Sequence, residues 1–441
     1  MRRTLRLALP LLLGLAAILI VVLGPGVERR GRVAPPERPP LATLHAKPGE
    51  RLRLACVPFT FDERSPELGA VAATLGEAFV ADLAYENAFD LSPFAPPPAG
   101  AAAPLDGVVS GRVALEDGAV RLEVRIREAS GRRLAFARAY VGPQASVRML
   151  AHAAADDVLR DEAGIEGVAH TRLAFVSDRL GAFRDPTGAP RRVKEIFVSG
   201  YDGVGDARVT TDGDLDLTPS WSPDGRALAY TSYRRGPQDV FVTDLATGRR
   251  SSPTGGRGQN GLPAWSPDGT RIAFASSRAG NEEVYVMNAD GSGLRRLTFS
   301  YAIDTAPAWS PDGRQIAFTS DRTGSPQIWV MNADGSDQRQ LTFEKYCDRA
   351  AWSPGPHDEI AYVSRTRTGF DIEVIDVATG AVRQLTFGRD NESPSFSPNG
   401  RHIAFSSTRG GSQQIWTMTR EGADLRQVTH VGNNSMPAWS R

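Results

Sequence analysis

Lysine is nearly absent from this 441-residue chain: Lys47, Lys194 and Lys345 are the whole complement. The shortage accompanies an abundance of Ala, Arg and Gly and reads as codon bias rather than chemistry. Basic and acidic residues number 51 each, giving a formal charge of zero. A groove that tracks polyphosphate, or a polybasic membrane arm, would tilt that balance, which argues against nucleic acid as the main partner. Cysteine is scarce too. Cys56 and Cys347 make neither a disulfide framework nor a four-ligand zinc site, and Cys56 stands too far past the apolar leader to carry a lipid. Both read as free thiols. The six histidines are scattered, and the chain has no His-Glu-x-x-His, P-loop, dinucleotide glycine fingerprint or Gly-x-Ser-x-Gly elbow. Asp212, Asp214 and Asp216 alternate as in a calcium loop, but Pro223 stands where the closing glutamate belongs, so a solvated turn is the simpler reading. No catalytic residue, cofactor or metal is expected.

What is present begins with a leader. Met1-Arg2-Arg3-Thr4-Leu5-Arg6 is basic, and Leu7 to Leu23 is apolar apart from Pro10 and Gly14. Residues 1–26 are therefore expected to direct export. No A-x-A site follows, and Leu5 to Leu23 is marginally long enough to span a bilayer. A cleaved signal peptide and an uncleaved N-terminal membrane anchor both stay open, and either places the remainder outside the cytoplasm. Residues 27–50, rich in Pro and Arg, read as a semi-rigid linker.

Residues 51–168 have the pattern of an α/β domain in the order β-α-β-β-β-α. Arg51 to Phe59 is strand-like, and Ser65-Pro66 reads as an N-cap with proline at the first helical position. Leu68, Val71, Leu75, Phe79 and Leu83 form one helical stripe. Beyond an Ala/Pro stretch, Pro96 to Pro104, three strands are expected: Val108 to Leu115, Val120 to Ile126 and Arg133 to Tyr140. Glu116-Asp117-Gly118 and Ala129-Ser130-Gly131 supply the turns between them. A helix from Ser146 to Asp161, ending at Gly164, closes the domain.

Residues 169–441 are a repeat. Pro-x-Trp-Ser-Pro-x-Gly wording recurs at Trp221, Trp265, Trp309, Trp352, Phe396 and Trp439, at intervals of 44, 44, 43, 44 and 43. A second mark follows each turn, as in Ile272-Ala-Phe, and strand-like segments, Asn-Ala-Asp-Gly and Leu-Thr-Phe come later in the period. Four short strands per period of this length is the pattern of β-propeller blades. In Ser266-Pro267-Asp268-Gly269, proline presets the second position and glycine accepts the left-handed fourth. The array opens with a second strand, Arg172 to Ser177, so Met436 to Ser440 must supply the missing innermost strand. Six blades closed by the C-terminal strand follow from that count.

Strand direction sorts the connections. Ser-Pro-Asp-Gly and Asn-Ala-Asp-Gly turns share one face, which the first domain enters. Second-to-third and fourth-to-first loops share the other, and those loops vary. Arg179, Arg278, Arg322 and Arg409 end the second strands there. They read either as forks for carboxylates or as partners of Asp304 and Asp348 on neighbouring blades. Tyr301 and Tyr346 are candidate aromatic anchors.

From Arg51 onward the chain resembles the TolB family of the Tol–Pal envelope system. Cys56-Val-Pro-Phe59, Val80-Ala-Asp-Leu83, Asp106-Gly-Val-Val-Ser-Gly111, Asp156-Asp-Val-Leu159, Gly164-Ile-Glu-Gly167, Thr171-Arg-Leu-Ala174, Tyr201-Asp-Gly203 and Pro437-Ala-Trp439 carry the resemblance. It implies a monomeric, non-enzymatic periplasmic scaffold, soluble or tethered to the inner membrane. Its partner would be a peptidoglycan-associated, OmpA-like lipoprotein held on the variable-loop rim, in support of outer-membrane integrity and constriction during cell division. By motif that rim includes Gln259, Asn260, Leu262 and Thr305. The family's TolA-binding segment matches only the Pro/Arg linker and Lys47 to Glu50, which leaves a TolA-like inner-membrane partner open. The alternative is a secreted propeller enzyme or carbohydrate-binding protein with a loop-built site.

Overall fold

The computed structural model describes residues 44, 51–62, 65–93, 105–184 and 190–441. The expected leader, all of the linker except Leu44, and the Pro96–Pro104 stretch lie outside these residues.

The first domain is a mixed sheet in the order Phe89–Pro93, Leu52–Cys56, Gly107–Glu116, Ala119–Glu128 and Leu134–Gly142, with Thr60–Phe61 beside Gly107–Glu116. Alternation decides which face is buried. Val120, Leu122, Val124 and Ile126 are sealed against helices Leu68–Tyr85 and Val147–Val158, in a core with Leu75, Phe79, Leu83, Leu150 and Val158. The strand Phe89–Pro93, parallel to Leu52–Cys56, was not expected. The first helix starts at Leu68 with Glu67 in the N-cap position, two residues beyond the expected cap at Ser65. The second helix ends as expected at Gly164, which takes φ +66° after a π-helical turn. Cys56 lies buried in this sheet and Cys347 in a blade, both as free thiols.

Six four-stranded antiparallel sheets follow. Five use consecutive strands, with Asp216–Trp221, Asn260–Trp265, Asp304–Trp309, Cys347–Trp352 and Asn391–Phe396 innermost. We number these blades 2 to 6. Blade 1 joins both ends of the array: Asn434–Trp439 is innermost, followed by Arg172–Ser177, Glu195–Gly200 and Ala207–Arg208. Asn434 pairs with Ser177 and Trp439 with Leu173, and Trp439 Nε1 donates to Thr171 Oγ1 at 2.7 Å. Two further interval tryptophans bridge blades: Trp221 Nε1 donates to Ala438 O at 3.0 Å and Trp309 Nε1 to Ala264 O at 3.1 Å, whereas Trp352 Nε1 donates to Asp358 Oδ1 in its own blade at 2.8 Å. A short hairpin, Ala182–Arg184 with Pro190–Arg192, is an addition to blade 1 that the repeat did not announce.

Each innermost strand slips register at its third residue. Thr218, Leu262, Ala306, Arg349, Ser393 and Met436 there adopt φ between +49° and +55°. Such left-handed residues are costly without glycine, and five of these six precede proline. Neighbouring blades help hold the conformation. Leu262 N–H donates to Thr231 Oγ1 at 2.9 Å and Arg349 N–H to Thr319 Oγ1 at 3.3 Å, each in the preceding blade.

Blade seams repeat a second device. A residue at or near the start of one blade's third strand, the one paired with the second strand's serine, meets the first residue of the next blade's innermost strand. In three seams an amide donates across: Asn260 Nδ2 to Asp239 Oδ1 at 2.9 Å, Asn391 to Asp371 at 3.0 Å and Asn434 to Gln414 at 2.7 Å. In two seams the residues are both acids, Glu195 with Asp216 and Glu283 with Asp304. Asp216 is wholly buried, and neither of its oxygens has a well-aligned hydrogen bond. Burial pushes its carboxyl up to about 6; the hydroxyls of Ser232 and Thr210 oppose the shift, while Asp212 and Glu195 add to it.

Two outcomes follow. Deleting residues 434–441 should unpair Arg172–Ser177 and lower the melting temperature by more than about 10 °C, since the whole strand Asn434–Trp439 is lost; a truncated chain that melts like the parent would contradict tail closure. Asp216 stays protonated to about pH 6 when folded but only to about 3.8 when exposed. Its contribution to stability is therefore full below pH 4 and lost as pH rises through 6. Asp216→Asn, able to donate to Glu195 at every pH, should stabilise the chain by about 1 kcal/mol at pH 7.5 and by nothing at pH 4, read from denaturation midpoints.

Candidate partner-binding face

The α/β domain sits on the tight-turn face at blades 6 and 1. Glu86, at the end of the first helix, accepts from Asn399 Nδ2 at 3.0 Å and Arg401 Nε at 3.0 Å, and its Oε2 lies 3.3 Å from His402 Nε2. Tyr201 OH donates to Asp82 Oδ1 at 2.6 Å, while Asp82 Oδ2 faces His152 Nδ1 at 2.7 Å. Burial raises the Asp82 carboxyl and the His152 contact pulls it back. Tyr85 stacks within 4.2 Å of His402 and within 4.8 Å of Tyr201. Beside this joint a cleft of about 920 Å³ runs between Glu86, Gly164–Gly167 and the turns 354–357 and 398–402. Among the described residues, the contacts of this domain with the propeller named above lie on the tight-turn face.

On the loop face, the end of the fourth strand shows how the repeat places a side chain. In Leu297-Thr298-Phe299 the leucine is buried, and the threonine hydroxyl accepts from Val284 N at 2.9 Å and donates to Glu283. The phenylalanine is thrown outward, 73% exposed, and Phe343 and Phe387 repeat it at 77% and 76%. Tyr301 and Ile303 extend this apolar arc. The Leu-Thr-Phe mark was legible as a repeat; its exposed aromatic was not singled out.

The expected rim residues divide. Gln259 and Tyr301 are exposed, and Leu262 and Thr305 are half-buried. Tyr346 is half-buried against Phe370 and donates to Asp348 Oδ2 at 3.2 Å. Asn260 and Asp304, expected at the rim, are instead fully buried, because the first residue of an innermost strand faces the seam. The arginine forks differ from both expectations. Arg322 Nη2 donates to Asp304 Oδ2 at 2.7 Å within its own blade, and its guanidinium lies over Trp329 at 4.6 Å. Arg278 donates to Ser276 Oγ and Asn260 Oδ1, both at 2.9 Å, and lies over Tyr285 at 5.1 Å. Arg179 and Arg409 repeat the arrangement. These arginines hold loop to blade, with little left to offer a partner. Nor do the three alternating aspartates converge: Asp212 faces Arg234 and Arg250, Asp214 Oδ1 accepts from Leu215 N, and Asp216 is sealed in its seam.

At the centre, the slipped residues and their successors line a cavity of about 150 Å³, two residues from each blade. Leu262 belongs to both this cavity and the expected rim. Arg349 is the one charged residue in its lining and was not anticipated.

The geometry defines a class: a six-bladed β-propeller closed by its C-terminal strand, with an α/β domain on the tight-turn face and a free, partly aromatic loop face. Residues 161–441 match the TolB β-propeller domain model. The chain belongs to the TolB family. It is 37% identical over 142 residues to the Tol-Pal system protein TolB of Desulfosudis oleivorans, covering 32% of this chain and 30% of that protein. With the Tol-Pal system protein TolB of Actinobacillus succinogenes it shares 31% identity over 226 residues, 47% and 49% of the two chains. These matches span less than half of either relative's length. The crystal structure of TolB from Acinetobacter baumannii superposes with a TM-score of 0.74 at 27% identity, over 89% of this chain and 97% of that one.

The joint can be tested directly. Glu86→Ala leaves Arg401 and His402 facing a buried void and should cost about 2 kcal/mol. It should also speed proteolysis between residues 160 and 170, whereas unchanged digestion would mean that Glu86 does not hold the domains together.

Proposed function

We propose that this protein is a non-enzymatic scaffold of the Tol–Pal type in the periplasm. It docks an OmpA-like, peptidoglycan-associated lipoprotein on its loop face and so supports outer-membrane integrity and constriction at division. The observation that carries this reading is the division of faces. The tight-turn side is occupied at blades 6 and 1 by the α/β domain through Glu86, Asp82 and Tyr201, while the loop side presents Phe299, Tyr301, Phe343 and Phe387 to solvent. Exposed aromatics on the face that also holds the axial cavity suit a protein interface, where a few central residues carry most of the energy. Gln259, Leu262, Tyr301, Thr305 and Tyr346 are the contacts this reading assigns. Asn260, Arg278, Asp304, Arg322 and Asp348 act beneath them by fixing the loops. A contact with a TolA-like inner-membrane protein stays open; it would fall on the Pro/Arg linker and Lys47 to Glu50, outside the described residues apart from Leu44.

Leu262→Glu or Thr305→Lys should weaken capture of the purified periplasmic domain of such a lipoprotein at least tenfold, about 1.4 kcal/mol, in calorimetry. Arg314→Glu, on an exposed tight turn, should leave affinity unchanged. Equal losses from both faces would move the interface elsewhere. Absence of capture by the unmodified chain would favour an enzyme or carbohydrate-binding role.

A further inference from the structure

The axial cavity combines two properties that the rest of the loop face lacks. Prolines 219, 263, 307, 394 and 437 wall it, with Leu262, Ala306, Ala350 and Met436 as further apolar lining and Thr218 and Ser393 as polar lining, and Arg349 is its one charged group. The side chain of Arg349 is 33% exposed. Its Nη1 donates to Ser393 Oγ at 3.1 Å. Among the described residues the one carboxylate within 4.0 Å of the guanidinium is Asp348, whose Oδ2 lies 3.9 Å from Nε, beyond hydrogen-bond reach. Asp348 is also engaged elsewhere: Oδ1 accepts from Thr319 Oγ1 at 2.9 Å and from Arg349 N at 2.7 Å, and Oδ2 accepts from Tyr346 OH at 3.2 Å. Arg278, Arg322 and Arg409 each lie over an aromatic ring and spend several donors on their own blade. Arg349 instead keeps most of its five N–H donors for whatever enters the cavity.

We propose that this cavity receives a carboxylate side chain, an aspartate or glutamate of the docked protein partner, in a paired contact with the Arg349 guanidinium; the inference rests on the docking reading above. A cavity of about 150 Å³ has room for a carboxylate and one or two waters, each water taking about 30 Å³. It is too small for a sugar chain. A planar fork favours two parallel N–H···O bonds to one carboxylate, and a docked partner that closes the recess makes that pair stronger than on open surface. The occupant is a protein side chain because the cavity lies on the propeller axis and shares Leu262 with the rim, and central, desolvated contacts dominate interfaces.

Blade 1 carries Met436 at the homologous position with φ +52°, against +55° at Arg349. Arg349→Met therefore keeps an accepted backbone and removes only the charge, and its melting temperature serves as the folding control. Calorimetry with the periplasmic domain of the OmpA-like lipoprotein should show at least tenfold weaker binding for Arg349→Met. Arg349→Lys should recover part of the loss, and the difference between variants should shrink at high salt. A scan of the partner's surface acids to their amides should find one that costs the same factor against the unmodified chain and nothing further against Arg349→Met. Capture that is indifferent to Arg349→Met, or a scan in which no acid couples to it, overturns this inference and leaves the docking reading standing. Failure of the unmodified chain to capture the lipoprotein overturns the docking reading itself. Succinate binding to Arg349 with capture unaffected would make the cavity a small-anion site and overturn the inference as well.

Discussion

The pairing of the last strand with the first blade is the contact on which the rest of the molecule depends. Asn434–Trp439 supplies the innermost strand of blade 1, and its terminal tryptophan reaches a threonine 268 residues earlier. Trp439 also belongs to one apolar cluster with Tyr85, Val168, Leu173, Phe175, Tyr201, Ala404 and Val428. That cluster contains the ring closure and the seat of the α/β domain at once. A disturbance at either is felt at the other through packed side chains, because such interiors leave little room to absorb a shift.

Around this lock the blades are near-copies, and the departures from the copy are informative. Where an innermost strand begins with asparagine, its amide donates to the acid or amide across the seam; where the seam has two acids, one carboxyl is left in a place that favours its neutral form. Where five blades place a small or apolar residue at the left-handed position, the sixth places an arginine. Repetition sets a background of satisfied polar groups, and against it an incompletely satisfied one stands out.

Much of this was legible beforehand. The tryptophan intervals and the Ser-Pro-Asp-Gly turns carry local chemistry that holds in every blade, so blade number, strand order and tail closure could be counted. The resemblance to TolB rested on the same residues that the fold uses: Tyr201-Asp-Gly203 at the joint and Pro437-Ala-Trp439 at the closure. Less legible was what depends on neighbours. Phe89–Pro93 has an aspartate and a closing proline and is a strand only because Leu52–Cys56 offers it an edge. Leu262-Pro263 reads as extended, yet the adjoining blade's Thr231 holds Leu262 left-handed. Asn260 and Asp304 look like polar loop ends, whereas the seam buries them. Arg278 and Arg322 follow the ends of their strands as expected, but the aromatic ring on the adjoining third strand decides where the guanidinium lies.

A ring whose final strand belongs to its first blade also has a definite order of assembly. While the chain emerges from the ribosome, or threads through a membrane pore, Arg172–Ser177 waits with one edge open until Asn434–Trp439 is free. Blades 2 to 6 can form in turn behind it, each from consecutive strands, but the circle cannot close early. A nascent chain stalled before Trp439 would expose that edge together with the apolar patch meant for that residue, the kind of surface that chaperones and proteases recognise. Synthesis through the closing strand is thus checked by the architecture itself.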